Sequence, residues 1–276
     1  MRIRVAHSPD SDDAFMFYGL AAGAVDTGDL QIEQVLGDIE SLNKAAFEGR
    51  YEVTAISFGA YPYLQDRYAL LPHGASLGDQ YGPVLVSTRE VAPSSLAGMR
   101  IAVPGEYTSA YLTLRMYDAS FTPVQMHFDA IQQAVLAGEV DAGLLIHEGQ
   151  LTYASEGLRK IVDLGEWWFE RTGGLPLPLG GNAIRRDLGP DVIARVSAAL
   201  HASIAHALSH REAGLEYALT FGRGLDAAKT DRFIGMYVNG LTLDYGARGR
   251  AAVERFFAEA WEKRLIPAPA AVDFVG

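Results

Sequence analysis

The sequence has no cysteine among its 276 residues, and this absence excludes several kinds of chemistry. Without thiols the chain cannot form disulfides, bind a metal through thiolates or use a cysteine nucleophile. It also lacks a Gly-x-Gly-x-x-Gly or Walker pattern, so a bound nucleotide cofactor has no support. No apolar run approaches the roughly 20 residues that span a bilayer. The sequence therefore predicts a protein that does not cross a membrane.

Positive charge is scarce in this chain. It holds 23 lysines and arginines against 34 aspartates and glutamates, which gives a formal charge of -11 at pH 7. The deficit is -7 over residues 1–90 (6 basic, 13 acidic) and -5 over 91–180 (5 basic, 10 acidic). An acidic surface repels phosphate backbones, so no nucleic-acid partner is expected. The N-terminus shows no apolar stretch of the signal-peptide kind, which predicts a cytoplasmic protein.

Strands and helices alternate from the start of the chain. Residues 2–7, 30–36 and 52–58 have strand character, and 13–23 and 38–49 carry apolar residues at helical spacing. Alternation of this kind is typical of an α/β fold with a parallel sheet covered by helices.

The pattern restarts after Pro93 and then changes. The later predicted strands are 100–103, 123–128 and 141–147, and the helices between them are 108–118 and 129–138. Residues 173–183 are rich in proline and glycine and predict a crossover segment. After Gly189 the predicted elements are all helices, at 190–209, 211–221, 229–239 and 247–263.

Helices without strands of their own need a sheet to cover. The helical tail is therefore expected to pack back on the first α/β unit. This predicts a discontinuous large lobe, 1–90 plus 185–276, and an inserted small lobe, 91–184. The ligand cleft is expected to lie between the two lobes.

Three predicted strand ends carry polar or small residues, and ligands bind at the carboxyl ends of strands in such sheets. Ala55-Ile56-Ser57 ends one strand. Ser109 and Ala110 begin a predicted helix, where unpaired backbone N–H groups can hold a carboxylate or phosphate. A third junction, His7 to Phe15, carries Asp10, Asp12 and Asp13. Helix capping is the alternative explanation for the aspartates and for Thr108 and Ser109.

Among seven histidines, His147 stands apart because it ends an apolar predicted strand and should face the cleft. Histidine has an unperturbed pKa of about 6.5 and can take a proton at neutral pH. A structural histidine is the alternative.

An ordered set of segments resembles the 1,4-dihydroxy-6-naphthoate synthase family, of the futalosine route to menaquinone, through nearly the whole chain. The segments are Ser8-Pro-Asp-Ser-Asp-Asp-Ala-Phe-Met-Phe-Tyr18, Asp38-Ile-Glu-Ser-Leu-Asn43, Ala55-Ile-Ser57, Tyr107-Thr-Ser-Ala110 and Leu145-Ile-His-Glu-Gly-Gln-Leu151. The last is the most specific.

The resemblance implies a two-lobed type II periplasmic-binding-protein-like fold. It implies conversion of cyclic dehypoxanthinylfutalosine to 1,4-dihydroxy-6-naphthoate with release of dihydroxyacetone, a lyase reaction without a metal or redox cofactor. It assigns the proton acceptor to His147 and substrate contacts to Ala55, Ile56, Ser57, Ser109 and Ala110.

Two other functions stay open at this point. One is chorismate dehydratase, a related enzyme of the same pathway, and the other is a non-catalytic protein that binds a small carboxylate. All three functions predict a small carboxylate as the ligand. The sequence leaves open the oligomeric state and the roles of Asp10 and Thr108.

Overall fold

The computed structural model describes residues 1–221 and 226–276, and their strands form two sheets. Six strands make the first sheet: β1 Arg2–His7, β2 Gln31–Leu36, β3 Val53–Ser57, β4 Tyr68–Leu70, β5 Ser76–Gly78 and β11 Leu177–Arg185. Five make the second: β6 Val84–Ser87, β7 Arg100–Val103, β8 Thr122–Gln125, β9 Ala142–Leu145 and β10 Arg159–Asp163. An α/β fold was predicted, and the structure confirms it.

Helices connect and cover these strands. In chain order they are α1 Ser11–Met16, α2 Tyr18–Ala21, α3 Ile39–Phe47, α4 Ser109–Tyr117, α5 Phe128–Leu136, α6 Gly149–Thr152, α7 Leu164–Thr172, α8 Pro190–Ser209, α9 Arg211–Leu219, α10 Ala227–Tyr237, α11 Gly240–Leu243 and α12 Gly246–Glu262. Asp38 caps α3 by accepting from the Ser41 N–H at 3.0 Å, and Thr108 caps α4 by accepting from the Tyr111 N–H at 3.2 Å. These caps fix where the helices next to the cleft begin.

Two predicted elements differ from the structure. The predicted helix 13–23 is two short helices, α1 and α2, which meet at Phe17. The predicted crossover at 173–183 contains most of β11, which pairs antiparallel with β3, so the first sheet is mixed rather than parallel. The proline and glycine content is accommodated by an irregular register against β5 between Pro178 and Gly180, while Leu177 and Ile184 are buried.

The ends of the sheets do not coincide with the predicted lobe bounds. Strand β6 belongs to the second sheet although the predicted large lobe runs to residue 90, and β11 belongs to the first although the predicted small lobe runs to 184. One apolar cluster spans both sheets and includes Ile56, Ile101 and Trp168. The division into lobes stays a prediction.

One helix of the described residues, α8, is long and apolar enough to cross a membrane by length and composition alone. It packs against α2 and buries Val196, Leu200 and Ile204 in an apolar cluster beside the first sheet. About half of this stretch, 44%, is buried inside the protein, so the helix packs one apolar face on the core.

Candidate active site

A cavity lies where β1, β3 and β9 end and α4 begins, between the two sheets. It encloses about 780 Å³ of free space, including solvent at its mouth. All six residues predicted for the site line it: Ala55, Ile56, Ser57, Ser109, Ala110 and His147. The structure therefore brings the three predicted strand and helix ends together, as the shared edge of the sheets requires.

The segment after β1 forms an acidic side of this cavity. Asp10 is buried and, although it precedes α1, its side chain does not cap that helix. One of its carboxylate oxygens accepts from the Ser8 hydroxyl at 2.5 Å and lies 3.0 Å from His147 Nδ1. Asp13 in turn accepts from the Ser8 N–H at 2.7 Å. Asp10 is thus held by its own loop in contact with the imidazole of His147.

His147 follows β9 with a backbone φ of +60°, a left-handed conformation that few residues other than glycine adopt. This conformation turns the imidazole out of the strand, and its ring packs edge-on against Phe128 at 4.5 Å between centroids. Nδ1 faces Asp10, whereas Nε2 is buried and has no partner among the described residues. One ring nitrogen is therefore oriented by a carboxylate, and the other is left for a ligand.

The carboxylates around His147 change its affinity for protons. Burial lowers the pKa of His147 because the cation loses hydration. The charge and the hydrogen bond of Asp10 act in the opposite direction, helped by the charges of Glu148 and Asp12. Together they raise the pKa of His147 from 6.5 to about 9. At a pKa of about 9, the protonated form of the imidazole is favoured at neutral pH.

Two other carboxyls of the segment are harder to ionise than usual. Burial, followed by repulsion from Asp13 and Asp10, raises the pKa of Asp12 well above its ordinary value. Burial also raises the pKa of Asp13, against the opposing effect of His7. These directions follow from placing several carboxyls close together away from water.

Opposite this acidic side, Ser57 presents a hydroxyl whose orientation is fixed by Asn43 on α3. Asn43 Nδ2 donates to Ser57 Oγ at 3.1 Å, and Asn43 Oδ1 accepts from the Ser57 N–H at 2.9 Å. Since the hydroxyl oxygen already accepts from Asn43, its own proton can be donated to a ligand. Asn43 was not singled out in the sequence, although a buried asparagine on the apolar face of α3 is a signal of this kind.

Ser109 was predicted to bind a ligand, but its hydroxyl is engaged in hydrogen bonds within the protein. Its Oγ donates to the Leu179 carbonyl at 2.5 Å and accepts from the Gly59 N–H at 3.0 Å. The backbone N–H groups of Ser109 and Ala110, at the start of α4, have no partner within the described chain. Any anion here would therefore be held by these two N–H groups, and the Thr108 side chain acts as the helix cap.

Three further polar residues line the cavity and were not predicted. The Gln150 amide lies 2.7 Å from the Tyr237 hydroxyl, and burial raises the pKa of Tyr237 well above its ordinary value. Asn182, on β11, is buried beside Gly74. Tyr237 and Asn182 come from segments interpreted as covering helix and crossover, so only the tertiary fold brings them here. Within residues 1–221 and 226–276, no group of three or more histidines and carboxylates is arranged to hold a metal ion.

Comparison with known proteins identifies the family. The family model for menaquinone biosynthesis matches residues 3–262. The chain is 43% identical over 267 residues to a 1,4-dihydroxy-6-naphthoate synthase of Thermus thermophilus, covering 97% of this chain and 96% of the relative. It is 40% identical to the Streptomyces coelicolor enzyme of the same name, covering 96% and 95% of the two chains.

Solved structures agree on the fold. A protein from Archaeoglobus fulgidus superposes with a TM-score of 0.92 at 52% identity, covering 96% of this chain and 98% of that one. The alkanesulfonate-binding protein of Xanthomonas axonopodis pv. citri, bound to MOPS, superposes with a TM-score of 0.73 at 16% identity, covering 98% and 96%. The second likeness confirms the periplasmic-binding-protein-like fold. The chain belongs to the menaquinone biosynthesis family that its match over residues 3–262 defines.

Proposed function

We propose that the protein is a lyase of the futalosine route that converts cyclic dehypoxanthinylfutalosine to 1,4-dihydroxy-6-naphthoate and releases dihydroxyacetone. The observation that carries this proposal is the pair formed by His147 and Asp10. The Asp10 carboxylate orients Nδ1 of His147, which lines the cavity, and Nε2 has no hydrogen-bond partner among the described residues. Both curated relatives, at 43% and 40% identity, carry the name of this activity.

The two sides of the cavity suit the two ends of such a substrate. Its carboxylate fits the side that carries the Ser57 hydroxyl and the N–H groups of Ser109 and Ala110, which are hydrogen-bond donors. Its sugar-derived ring then lies toward His147 and the aspartates. These fixed donors hold the reacting carbon near the imidazole.

In this proposal His147 Nε2 takes a proton from the substrate. Removal of this proton starts an elimination or retro-aldol path that cleaves the spiro sugar, and the remaining ring becomes aromatic. The departing fragment takes a proton back from the imidazolium and leaves as dihydroxyacetone. Only the neutral imidazole can accept a proton, so the pKa of about 9 makes the base a minority form at neutral pH. The value of kcat, which reports the enzyme–substrate complex, is therefore expected to rise with pH up to about 9.

The alternatives from the sequence are not favoured. Neither chorismate dehydratase nor a non-catalytic binding protein is the activity named for the curated relatives. The cytoplasmic location remains part of the proposal, and fractionation of cells that make the protein would test it.

The experiment is incubation with cyclic dehypoxanthinylfutalosine, followed by naphthoate absorbance. Wild type is expected to form the product, and His147→Asn to lose about 10²–10⁴-fold in kcat, the usual contribution of a positioned acid or base. His210→Asn replaces an exposed histidine that directly follows α8 and serves as the matched control.

Each outcome decides a separate point. Absence of product with wild type would remove the lyase assignment. Full activity of His147→Asn, with the control equally active, would remove the base assignment and leave the reaction in place.

A further inference from the structure

Asn182 is a buried residue in the cavity wall whose amide nitrogen has no hydrogen-bond partner in the described part of the chain. The residue is only 2% exposed, and its amide nitrogen, Nδ2, is buried without a hydrogen-bond partner among the described residues. Only its backbone is engaged, since its carbonyl accepts from the Leu71 N–H at 2.9 Å. A buried amide in this condition is costly to a folded protein, because it loses water and gains no bond in return.

Close packing against Gly74 constrains the side chain of Asn182 on one side. Gly74 lies against the amide, and a Cβ added to that glycine would come within 2.1 Å of Asn182 Nδ2. Gly74 also has a φ of +77°, which disfavours any other residue. The wall therefore has no space for a side chain at position 74 beside the amide. A hydrogen-bond partner for the amide can approach only from the cavity, which Asn182 lines.

The sheet register places Asn182 relative to the proposed carboxylate site. Asn182 on β11 is the direct cross-strand partner of Ala55 on β3, and Gly180 is that of Ser57. The side chains of directly opposite residues in an antiparallel pair project on the same face of the sheet. Asn182 therefore lies on the same face as Ser57, displaced from it by two residues along the strand. Two residues along a strand measure about 6.6 Å. This is comparable with the distance between the carboxyl group and the ring oxygens of a fused two-ring aromatic acid.

We propose that the Asn182 amide hydrogen-bonds a ring oxygen of the ligand, a hydroxyl or carbonyl, while the ligand carboxylate occupies the Ser57 and α4 side. The inference rests on the proposed function and specifies which substrate group this residue recognises. An amide both donates and accepts, so it can bind a hydroxyl or a carbonyl at the same ring position. Gly180 leaves the space between the two contacts open to a flat ring.

The test compares two ligands by titration calorimetry under argon: 1,4-dihydroxy-6-naphthoate, and 2-naphthoate, which lacks the ring hydroxyls. Asn182→Leu replaces the amide with an apolar group of similar size. We expect it to weaken binding of the dihydroxy acid about 3- to 10-fold, the worth of one neutral hydrogen bond, and to leave 2-naphthoate binding unchanged. Its Tm should not fall, since the amide makes no hydrogen bond for the fold to lose.

A matched control removes a second buried polar atom. The Tyr245 hydroxyl is buried without a partner in the described chain and is not part of the cavity lining, so Tyr245→Phe should leave both affinities as in wild type. Asn182→Ala serves if the leucine variant does not fold.

The outcomes separate the two proposals. If wild type forms the naphthoate and the Asn182 variants keep its preference for the dihydroxy acid, only the assignment of Asn182 is overturned. If wild type neither forms nor binds the naphthoate, both are overturned.

Discussion

At the scale of single residues, the pair of Asp10 and His147 determines what the cavity can do. Water sets the pKa of an exposed histidine. In His147, burial lowers the pKa, but the Asp10 carboxylate at 3.0 Å raises it by more than burial lowers it. The same contact selects which ring nitrogen faces the ligand. Asp10 therefore acts through His147 and is a positioning residue.

Asp10→Asn is expected to shift the pH dependence of the reaction. Without the charge of Asp10 the pKa of His147 falls below 9, and the rising limb of the kcat–pH profile moves to lower pH. At its plateau kcat should drop about 10- to 100-fold, because an amide no longer fixes the ring nitrogen that faces the substrate. Steady-state kinetics from pH 6 to pH 10 measure both effects.

Asp12→Asn is the control for this experiment, because it removes a carboxylate that has a weaker effect on the pKa of His147. Asp12 contributes charge but makes no hydrogen bond to His147, and its pKa is already raised. For Asp12→Asn we expect the rising limb of the pH profile to move to lower pH by less than in Asp10→Asn, with kcat at the plateau nearly unchanged. A limb that stays in place in Asp10→Asn would show that His147 is not the group that titrates.

The residues that were missed show what sequence patterns leave out. His147, Ser57 and Ser109 were predicted because strand ends of a sheet meet at one edge, a rule that needs no tertiary detail. Asn43 acts by clamping Ser57, and Asn182 faces the same cavity from a strand that pairs out of chain order. Ser109 lines the cavity, but its hydroxyl bonds Leu179 and Gly59, partners distant in the chain.

At the scale of elements, the largest departure from prediction is β11. Proline and glycine favour a turn locally, but antiparallel pairing with β3, β4 and β5 outweighs that preference. The short strands β4 and β5, three residues each, carry too little pattern to predict. The long helices α8 and α12 were predicted within one residue of their ends because their apolar faces repeat over several turns.

His73 joins the turn after β4 to helix α8 and makes this contact sensitive to acid. Its Nε2 lies 3.0 Å from Ser197 Oγ, and its ring meets His201 edge-on. Burial, followed by repulsion from His201, lowers the pKa of His73 from 6.5 to about 4. The unfolded chain thus binds this proton more readily than the folded one. The stability that the neutral ring contributes is present above pH 6.5 and is lost as pH falls through about 4.

His73→Gln keeps a hydrogen-bonding group at this position but does not titrate there. Relative to this variant, wild type should lose about 2 kcal/mol of unfolding free energy between pH 7.5 and pH 5, by proton linkage. Urea unfolding at both pH values measures the difference. His147 acts in the opposite direction, since its raised pKa contributes stability below 6.5 that is lost through about 9, and this contribution cancels between the two proteins. A difference independent of pH would contradict the assignment.

At the scale of the whole molecule, the site is assembled from both sheets. Asp10 follows β1 of the first sheet, and His147 follows β9 of the second. Ser109, on α4, likewise bonds Gly59 and Leu179 of the first. We propose that the sheets form two lobes that open and close over the cavity. On this proposal the oriented imidazole exists only when the lobes are closed.

That arrangement also decides where the abstracted proton goes. Cleavage leaves the departing three-carbon fragment with a negative charge, and this fragment must gain a proton before it leaves as dihydroxyacetone. The imidazolium of His147, which Asp10 stabilises from 3.0 Å, is the acid placed to supply that proton. The base is thus regenerated within each turnover, and substrate and products balance without a proton from water. A pH indicator in weak buffer should show no net proton release during turnover, and release of one proton for each naphthoate formed would contradict this cycle.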